Sequence, residues 1–472
     1  MKSRQKTAAC IALMLFLAGC ATSNPPPAEK EIRSYQEFTS RRLDDPEVKD
    51  FIDRLAPNHS TSWPPDKWQF DQLYLAALYF QPDLDVARSQ WQTTKAGEIT
   101  ADEIPNPSVS LSPTHDQNNV LSGVSPWLYP LNLSIPIELG GKRELRVQNA
   151  KNLSNAAQLR IATTAWDVRA RLQQAFIDAY ASNLSMQLIR QQTEAQKAVI
   201  DIFNQRHAAG QGFGLSESQQ QIAYRQTLLA LKDAETQQAE AHAALASAIG
   251  IPLEAVESIR LDWSGLTEAK NLLLPPDFKE QSLKHHSQLA AALADYIAAH
   301  SALQIEIAKQ IPDINLGPGY EWNPAGDKYI LGFSITLPVF NNNEGAIAEA
   351  EARRKEAAEK FNALQAKVIG DIDLAVTHYK AALDKQTTAD RLLAAQTATQ
   401  KNLAAHLGQG EVAKIPLLLA QTETSAAKLA FHEAHIQVIK ARAEIEAASE
   451  YVLSGTPPDA GLTEQPVIRK KP

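Results

Sequence analysis

The chain of 472 residues has almost no cysteine. Cys10 and Cys20 are the only two, and both lie at the extreme N-terminus. That excludes a disulfide framework and leaves no thiol for catalysis in the rest of the sequence. Basic residues are not in excess. There are 46 Lys and Arg against 54 Asp and Glu, a net charge of −8, which argues against a nucleic-acid partner. Aromatics make up 7%, too few for a thick globular core. Alanine and glutamine recur instead, which suits helices packed by small side chains. HExxH, GxSxG and a glycine-rich dinucleotide turn are all missing, so neither an enzyme nor a cofactor is expected. Proline is missing from three long tracts, Pro136 to Pro252, Pro338 to Pro416 and Pro416 to Pro457. A helix interior rejects proline at about 3 kcal/mol, so these tracts are the helix candidates.

The N-terminus has a recognisable form. Lys2, Arg4 and Lys6 precede an apolar run, Ala8 to Ala18, that is too short to cross a bilayer. It ends in LAGC, Leu17 to Cys20. Residues 1–19 read as a signal peptide, and the last four residues resemble a lipoprotein box. That implies cleavage before Cys20 and lipidation of its sulfur; a plain signal with a chance cysteine is the rival. Ala21 in place of Asp resembles an outer-membrane address. Residues 20–65, opened by Pro25-Pro26-Pro27, read as an extended tether.

The remainder repeats itself at an offset near 200. The first repeat spans 66–250, and the second spans 281–452 after a linker at 251–280. A tail follows at 453–472. Each repeat begins with a leading helix, one including Leu73 to Ile99, the other from about Gln281 to Lys309. Strand candidates come next, about 107–113 and 128–137, then about 313–322 and 329–339. Long helices follow at about 142–209 and 343–407. In the first, Val168, Leu172, Phe176 and Ala179 share a face. Return helices are expected at about 216–249 and 415–452. Ala241, Ala243 and Ala248 of one match Ala441, Ala443 and Ala448 of the other. Ile135-Pro136-Ile137 matches Leu337-Pro338-Val339 at the strand-to-helix junctions.

The strands alternate. Leu131, Leu133, Ile135 and Ile137 fall on one face, with Asn132 and Ser134 on the other. Tyr329, Leu331, Phe333, Ile335 and Leu337 oppose Gly332, Ser334 and Thr336. Trp127, Tyr129, Trp322 and Tyr329 cluster near the loop ends. This is the pattern of a transmembrane β-barrel; two soluble hairpins are the rival. Four strands cannot close a barrel, and lipid tolerates no open edge. Three chains would pool about twelve strands, enough for an open channel. A helix of about 65 residues is roughly 100 Å long, so its faces need cover from neighbouring helices and other chains.

With this repeat, the strand pairs, the glycine-marked tips and the PDL of the first leading helix, the chain resembles the TolC-like outer-membrane efflux (outer membrane factor) lipoprotein family. The resemblance covers about Trp68 to Val452. It implies a mostly α fold with a transmembrane β-barrel portion, built as a homotrimer with a twelve-stranded barrel and an α-helical tunnel. It also implies the outer membrane of a Gram-negative bacterium as location. The partners would be outer-membrane lipid, a periplasmic adaptor (membrane fusion) protein and an inner-membrane RND transporter. IELGGKR, Ile137 to Arg143, is similar to a segment of the CzcC-like heavy-metal efflux subgroup, which implies export of divalent metal cations. Drug efflux and type I secretion are the alternatives within the family. A periplasmic helical-hairpin lipoprotein without a pore is the alternative outside it.

Candidate sites follow. Pro136, Gly140, Gly141, Lys142, Arg143 and Pro338 mark the strand-to-helix junctions. Gly140-Gly141-Lys142 is not a phosphate loop, because Pro136 and Arg143 stand where that motif needs Gly and Ser or Thr. Lys142, Arg143 and Arg146 are expected to face anionic lipid head groups. The resemblance assigns adaptor docking to Gly210, Gly212, Gly214, Gly408, Gly410 and Glu411 at the periplasmic tips. It also implies an acidic constriction beyond the second tip, but Pro416 and Leu419 stand at those positions. Glu217 is a nearby acid without an assigned role. His207 and His406 precede the tip glycines and are weak metal candidates, better explained as cations at helix C-termini. His285-His286 and the i, i+3 pair His432/His435 complete the histidines that could hold a metal.

Overall fold

The computed structural model describes residues 35–55, 63–115, 126–210, 214–267, 272, 274–323 and 326–453. The expected signal at 1–19, Cys20, Gly212 and residues 454–472 lie outside the described residues. The chain divides after Arg42 into two units. The first contributes α1 (Tyr35–Thr39). All other elements belong to the second.

The tether expectation is corrected here. Helix α2 (Pro46–Leu55) buries Val48, Phe51 and Ile52, and Leu43 is buried beside them. Phe51 meets Tyr79 at 5.5 Å, and the Tyr79 hydroxyl donates to Glu47 at 2.7 Å. The short apolar face of α2 is enough to dock the segment on the core.

Each leading helix is broken in two, where continuous helices were expected. In the first repeat α3 (Phe70–Phe80) and α4 (Pro82–Asp102) meet at Gln81, whose backbone is extended. Pro82 sits at the first helical position, and the residue before a proline disfavours the α conformation. In the second repeat α9 (Phe278–His285) and α10 (Ser287–Ala308) break at His286, also extended. No proline forces that break.

The strands are β1 (Ser108–Leu111), β2 (Thr114–His115), β3 (Trp127–Ile137), β4 (Ile314–Asn323) and β5 (Gly326–Ile335). They form one antiparallel sheet in the order β1-β3-β4-β5, with β2 also on β3. Strand β5 ends at Ile335 rather than near 339. Val339 N–H turns back on the Leu337 carbonyl, and Pro338 has no N–H to extend a ladder. Pro136 is held within β3 because β1 pairs only as far as Ser134.

Long helix α5 (Lys142–Ala208) returns through α6 (Leu215–Ile249), and long helix α11 (Glu344–Gly408) through α12 (Lys414–Ser449). Two short helices, α7 (Leu253–Glu257) and α8 (Ser264–Thr267), lie between the repeats. The first core gathers α2, α3, the start of α4, the middle of α5 and the end of α6, around Leu73, Leu84, Leu172 and Leu245. The second joins α9, α11 and α12 around Phe278, Val368, Ile372 and Ile445. Helix α12 packs along both α11 and α5, and α10 lies along both α5 and α11. Their first-repeat counterparts, α6 and α4, pack extensively on α5 and make no comparable packing on α11.

Candidate functional site

The sheet sorts its residues by chemistry. Directly opposed residues in an antiparallel ladder share a face. One face carries Leu111, Leu131, Tyr320 and Tyr329 in one row and Ile135, Leu316 and Phe333 in another. The opposite face carries Ser110, Asn132 and Gly319, with the apolar Ile330 ending that row on β5, and Pro136, Asn315 and Ser334 in a neighbouring row. Gly317 faces Gly332 there. Tyr329, Leu331 and Phe333 are 84, 82 and 77% exposed. So broad a bare apolar face requires a nonaqueous cover. His115, Trp127, Tyr129 and Trp322 form an edge-to-face and stacked chain at the loop end of the sheet. Both outer strands, β1 and β5, keep one unpaired edge among the described residues.

The junction between β3 and α5 is a clamp. Gly140 and Gly141 both adopt positive φ, at 73° and 68°. Lys142 is buried and reaches Asp313 at 2.7 Å, and Leu139 N–H donates to the same oxygen. Arg143 pairs with Asp102 at 2.9 Å. Arg146 takes Glu138 through two bonds. The expectation that these three cations face lipid head groups is therefore corrected. Each is paired with a carboxylate, and two of those carboxylates, Asp102 and Asp313, come from other elements. In sequence the cations looked free because Asp102 and Asp313 are distant along the chain. In the second repeat Asn343 stands where Gly141 does, at φ 62°, and its amide donates to the Glu306 carbonyl at 2.7 Å. Asparagine tolerates this conformation better than most residues.

A Cβ on Gly140 would meet Ile311 Cδ1 at 3.0 Å, whereas one on Gly141 would meet only Glu144 at 3.7 Å. Gly140→Ala is expected to cost about 1–2 kcal/mol or more, while Gly141→Asn is expected to be tolerated. Thermal unfolding of the two variants in detergent checks the order; equal midpoints would refute it.

At the tips, Gly210 (φ 83°) and Gly410 (φ 75°) end the turns after α5 and α11. Gly214 precedes α6, and Gly408 is the last residue of α11. Glu411 accepts from His406 Nδ1 at 2.6 Å, both half exposed. Pro416 lies in the first turn of α12, where a missing N–H is harmless. His207 closes the last turn of α5. No group of three or more metal-ligating side chains occurs among the described residues. His432 and His435 diverge. His432 Nε2 meets the Ala181 carbonyl on α5 at 3.3 Å, and His435 Nδ1 meets Gln386 on α11 at 3.0 Å. Burial lowers both pKa values, so the neutral rings are favoured as packing groups between helices.

The sequence reading missed a buried ion pair. Arg169 on α5 is 1% exposed and donates to Glu446 on α12 at 2.6 Å. Gln173 holds the other oxygen of Glu446 at 3.1 Å, and Asp71 lies 3.9 Å from the guanidinium. The Phe70 and Tyr74 rings flank it at 4.9 and 5.3 Å. An arginine on the apolar stripe between Val168 and Leu172 was the available signal.

Comparison with known proteins agrees with this architecture. Residues 73–251 and 279–449 match the family described as outer membrane efflux protein. The cobalt-zinc-cadmium resistance protein CzcC of Cupriavidus metallidurans is 23% identical over 283 residues, 59% of this chain and 65% of that protein. The chain therefore spans just under two thirds of that relative. The pyoverdine export outer membrane protein OpmQ of Pseudomonas aeruginosa is 21% identical over 389 residues, 76% of this chain and 78% of that protein. The fold resembles the open state of the outer membrane channel MtrE of Neisseria gonorrhoeae, with a TM-score of 0.66 at 16% identity, covering 80% of this chain and 88% of that one. With both repeats inside the matched residues, a sheet bare on its apolar face and a mostly helical body, the chain belongs to the outer membrane efflux protein family, whose TolC-like channels its sequence resembles.

Proposed function

We propose that three copies of this chain form a passive exit duct through the outer membrane. The duct docks a periplasmic adaptor and an inner-membrane RND-type transporter, which supplies the energy. One observation carries the reading, a four-strand ladder with an exposed apolar face, a small polar face and two open edges. In lipid such edges must be paired, and β5 of one copy with β1 of the next would pair them. The small polar face then lines the lumen.

The helices support the same closure. Repeat-two helices α10 and α12 each lie between two long helices, while α4 and α6 have one. If both repeats pack alike, α6 and α4 rest on α11 of a second copy. Leu215, Ile222 and Leu229 on α6 are 79, 57 and 68% exposed and seven residues apart, the spacing of a coiled-coil seam. A head-to-tail contact of this kind closes into a ring.

For cargo, divalent metal cations are the preferred reading. Similarity to a cobalt-zinc-cadmium resistance protein supports it, and so does the IELGGKR wording. The similarity to a pyoverdine exporter keeps an organic cargo as the second reading. Drug efflux or type I secretion would use the same duct, and a pore-free helical-hairpin lipoprotein is the rival outside transport. Purified protein in a planar bilayer is expected to conduct as a trimer. A soluble, non-conducting monomer after delipidation would overturn the channel. Loss of the gene is expected to sensitise cells to cobalt, zinc or cadmium; unchanged metal tolerance with lost export of an organic compound would favour the second reading.

A further inference from the structure

The two repeats end their return helices differently. In the first, Gly250 closes α6 at φ 89°, and a Cβ there would meet the Phe80 carbonyl at 3.0 Å. The break residue Gln81 donates its side-chain amide to the Ser247 and Ala248 carbonyls at 2.8 and 2.6 Å. Nothing in this fastening titrates. In the second, Glu450 occupies the equivalent place at φ 48°, a conformation that disfavours residues with a Cβ. His286 occupies the place of Gln81, and its ring bonds the Ala448 backbone.

These replacements face each other. Glu450 accepts from Ser287 N–H at 2.6 Å and from Ser287 Oγ at 2.9 Å, so it caps the start of α10. Ser287 Oγ lies 2.9 Å from Thr163 Oγ1 on α5. His286 Nδ1 stands 3.3 Å from Glu450 Oε1, with both side chains almost fully buried. That nitrogen has no hydrogen-bond partner among the described residues. An ionised carboxylate and an unprotonated ring nitrogen both offer lone pairs, so the contact lacks one proton. The other charged groups that act on the pair are Asp167 from α5 on Glu450, and Asp371 and Lys367 from α11 on His286.

We propose that Glu450, His286 and Ser287 form a proton-operated latch that ties the end of the second return helix to the start of the second leading helix, while Gln81 and Gly250 hold the first repeat without one. One proton between Glu450 Oε1 and His286 Nδ1 closes the latch, and its loss leaves two acceptors in contact. Burial, with the Asp167 charge adding to it, pushes the Glu450 carboxyl up to about 7 against donors from Ser287 that pull it down. Burial lowers His286, so the pair resists a second proton. A carboxyl raised in the folded state stabilises the fold fully below its unfolded value of 4.5, and this contribution is lost as pH rises through about 7. The latch therefore closes on acidification and slackens above neutral. It bears on α12, the helix that runs down to the second tip.

Hydrogen exchange of the full chain in detergent, corrected for intrinsic rates, tests this. In the wild type, the opening constant of amides 287–290 is expected to rise by up to about tenfold per unit between pH about 6.5 and 8. Amides 83–85 of the first repeat serve as the internal control and are expected to stay flat. Glu450→Gln is expected to flatten the response at residues 287–290. Should that variant fail to fold, Glu450→Gly suits the backbone at this position, copies the first repeat and is expected to flatten it too. A wild type without the pH response, or a variant that keeps it, overturns the latch.

Discussion

Arg169→Met is expected to destabilise the folded chain by about 3–5 kcal/mol, the cost of stranding a buried charge. Glu446 is 2% exposed and would keep only Gln173 as a partner. Water cannot reach it, and the Phe70 and Tyr74 faces offer a carboxylate nothing. The double variant Arg169→Met/Glu446→Leu is expected to recover most of the loss, because replacing a whole buried pair by apolar groups is close to neutral. The exposed pair Lys367–Asp371 is the internal control. Both its side chains are largely open, and breaking it is expected to cost about 0–1 kcal/mol. Denaturant or thermal unfolding of the detergent-solubilised protein reads all three. If Arg169→Met costs no more than Lys367→Ala, the pair is not a structural tie between the repeats.

Ile222→Asp combined with Leu229→Asp is expected to give monomers. Each side chain would otherwise contribute about 1.5–3 kcal/mol when covered by a neighbouring copy, so the pair removes about 3–6 kcal/mol per interface before the cost of two buried carboxylates is added. Within one chain both residues are exposed, so the helical content of the monomer should be unchanged. Light scattering in detergent reads the mass, and circular dichroism checks the fold. A variant that stays trimeric would remove the seam from the ring interface and with it the repeat-equivalence argument for closure.

Much of the fold was legible because its signals are local. Proline-free tracts and stripes such as Val168, Leu172 and Phe176 report helix period directly, and a 67-residue helix averages out errors at its ends. Alternation from Leu131 to Ile137 reported a strand for the same reason. The break at His286 was not legible, since no proline or glycine marks it. The tether reading failed because α2 is short, and its Val48, Phe51 and Ile52 matter only beside α3. At the site, the glycines of the junction were legible as backbone requirements. The partners of Lys142 and Arg143 were not, because Asp313 and Asp102 come from other elements.

The amino-acid sequence alone determined the repeat, the alternation of two very long helices with two strand pairs, and the lack of any cysteine beyond residue 20 from which a disulfide framework could be built. Those properties rest on composition and short-range period, which need no knowledge of what lies across a contact. Only the tertiary structure decided that the two strand pairs join into one ladder through β3 and β4, that His432 and His435 point at different helices, and that Arg169 with Glu446 and His286 with Glu450 meet in the interior. Apart from His435 with Gln386, those are pairings across more than 150 residues, and a charged side chain in a helical stripe carries no mark of which distant partner will desolvate or neutralise it.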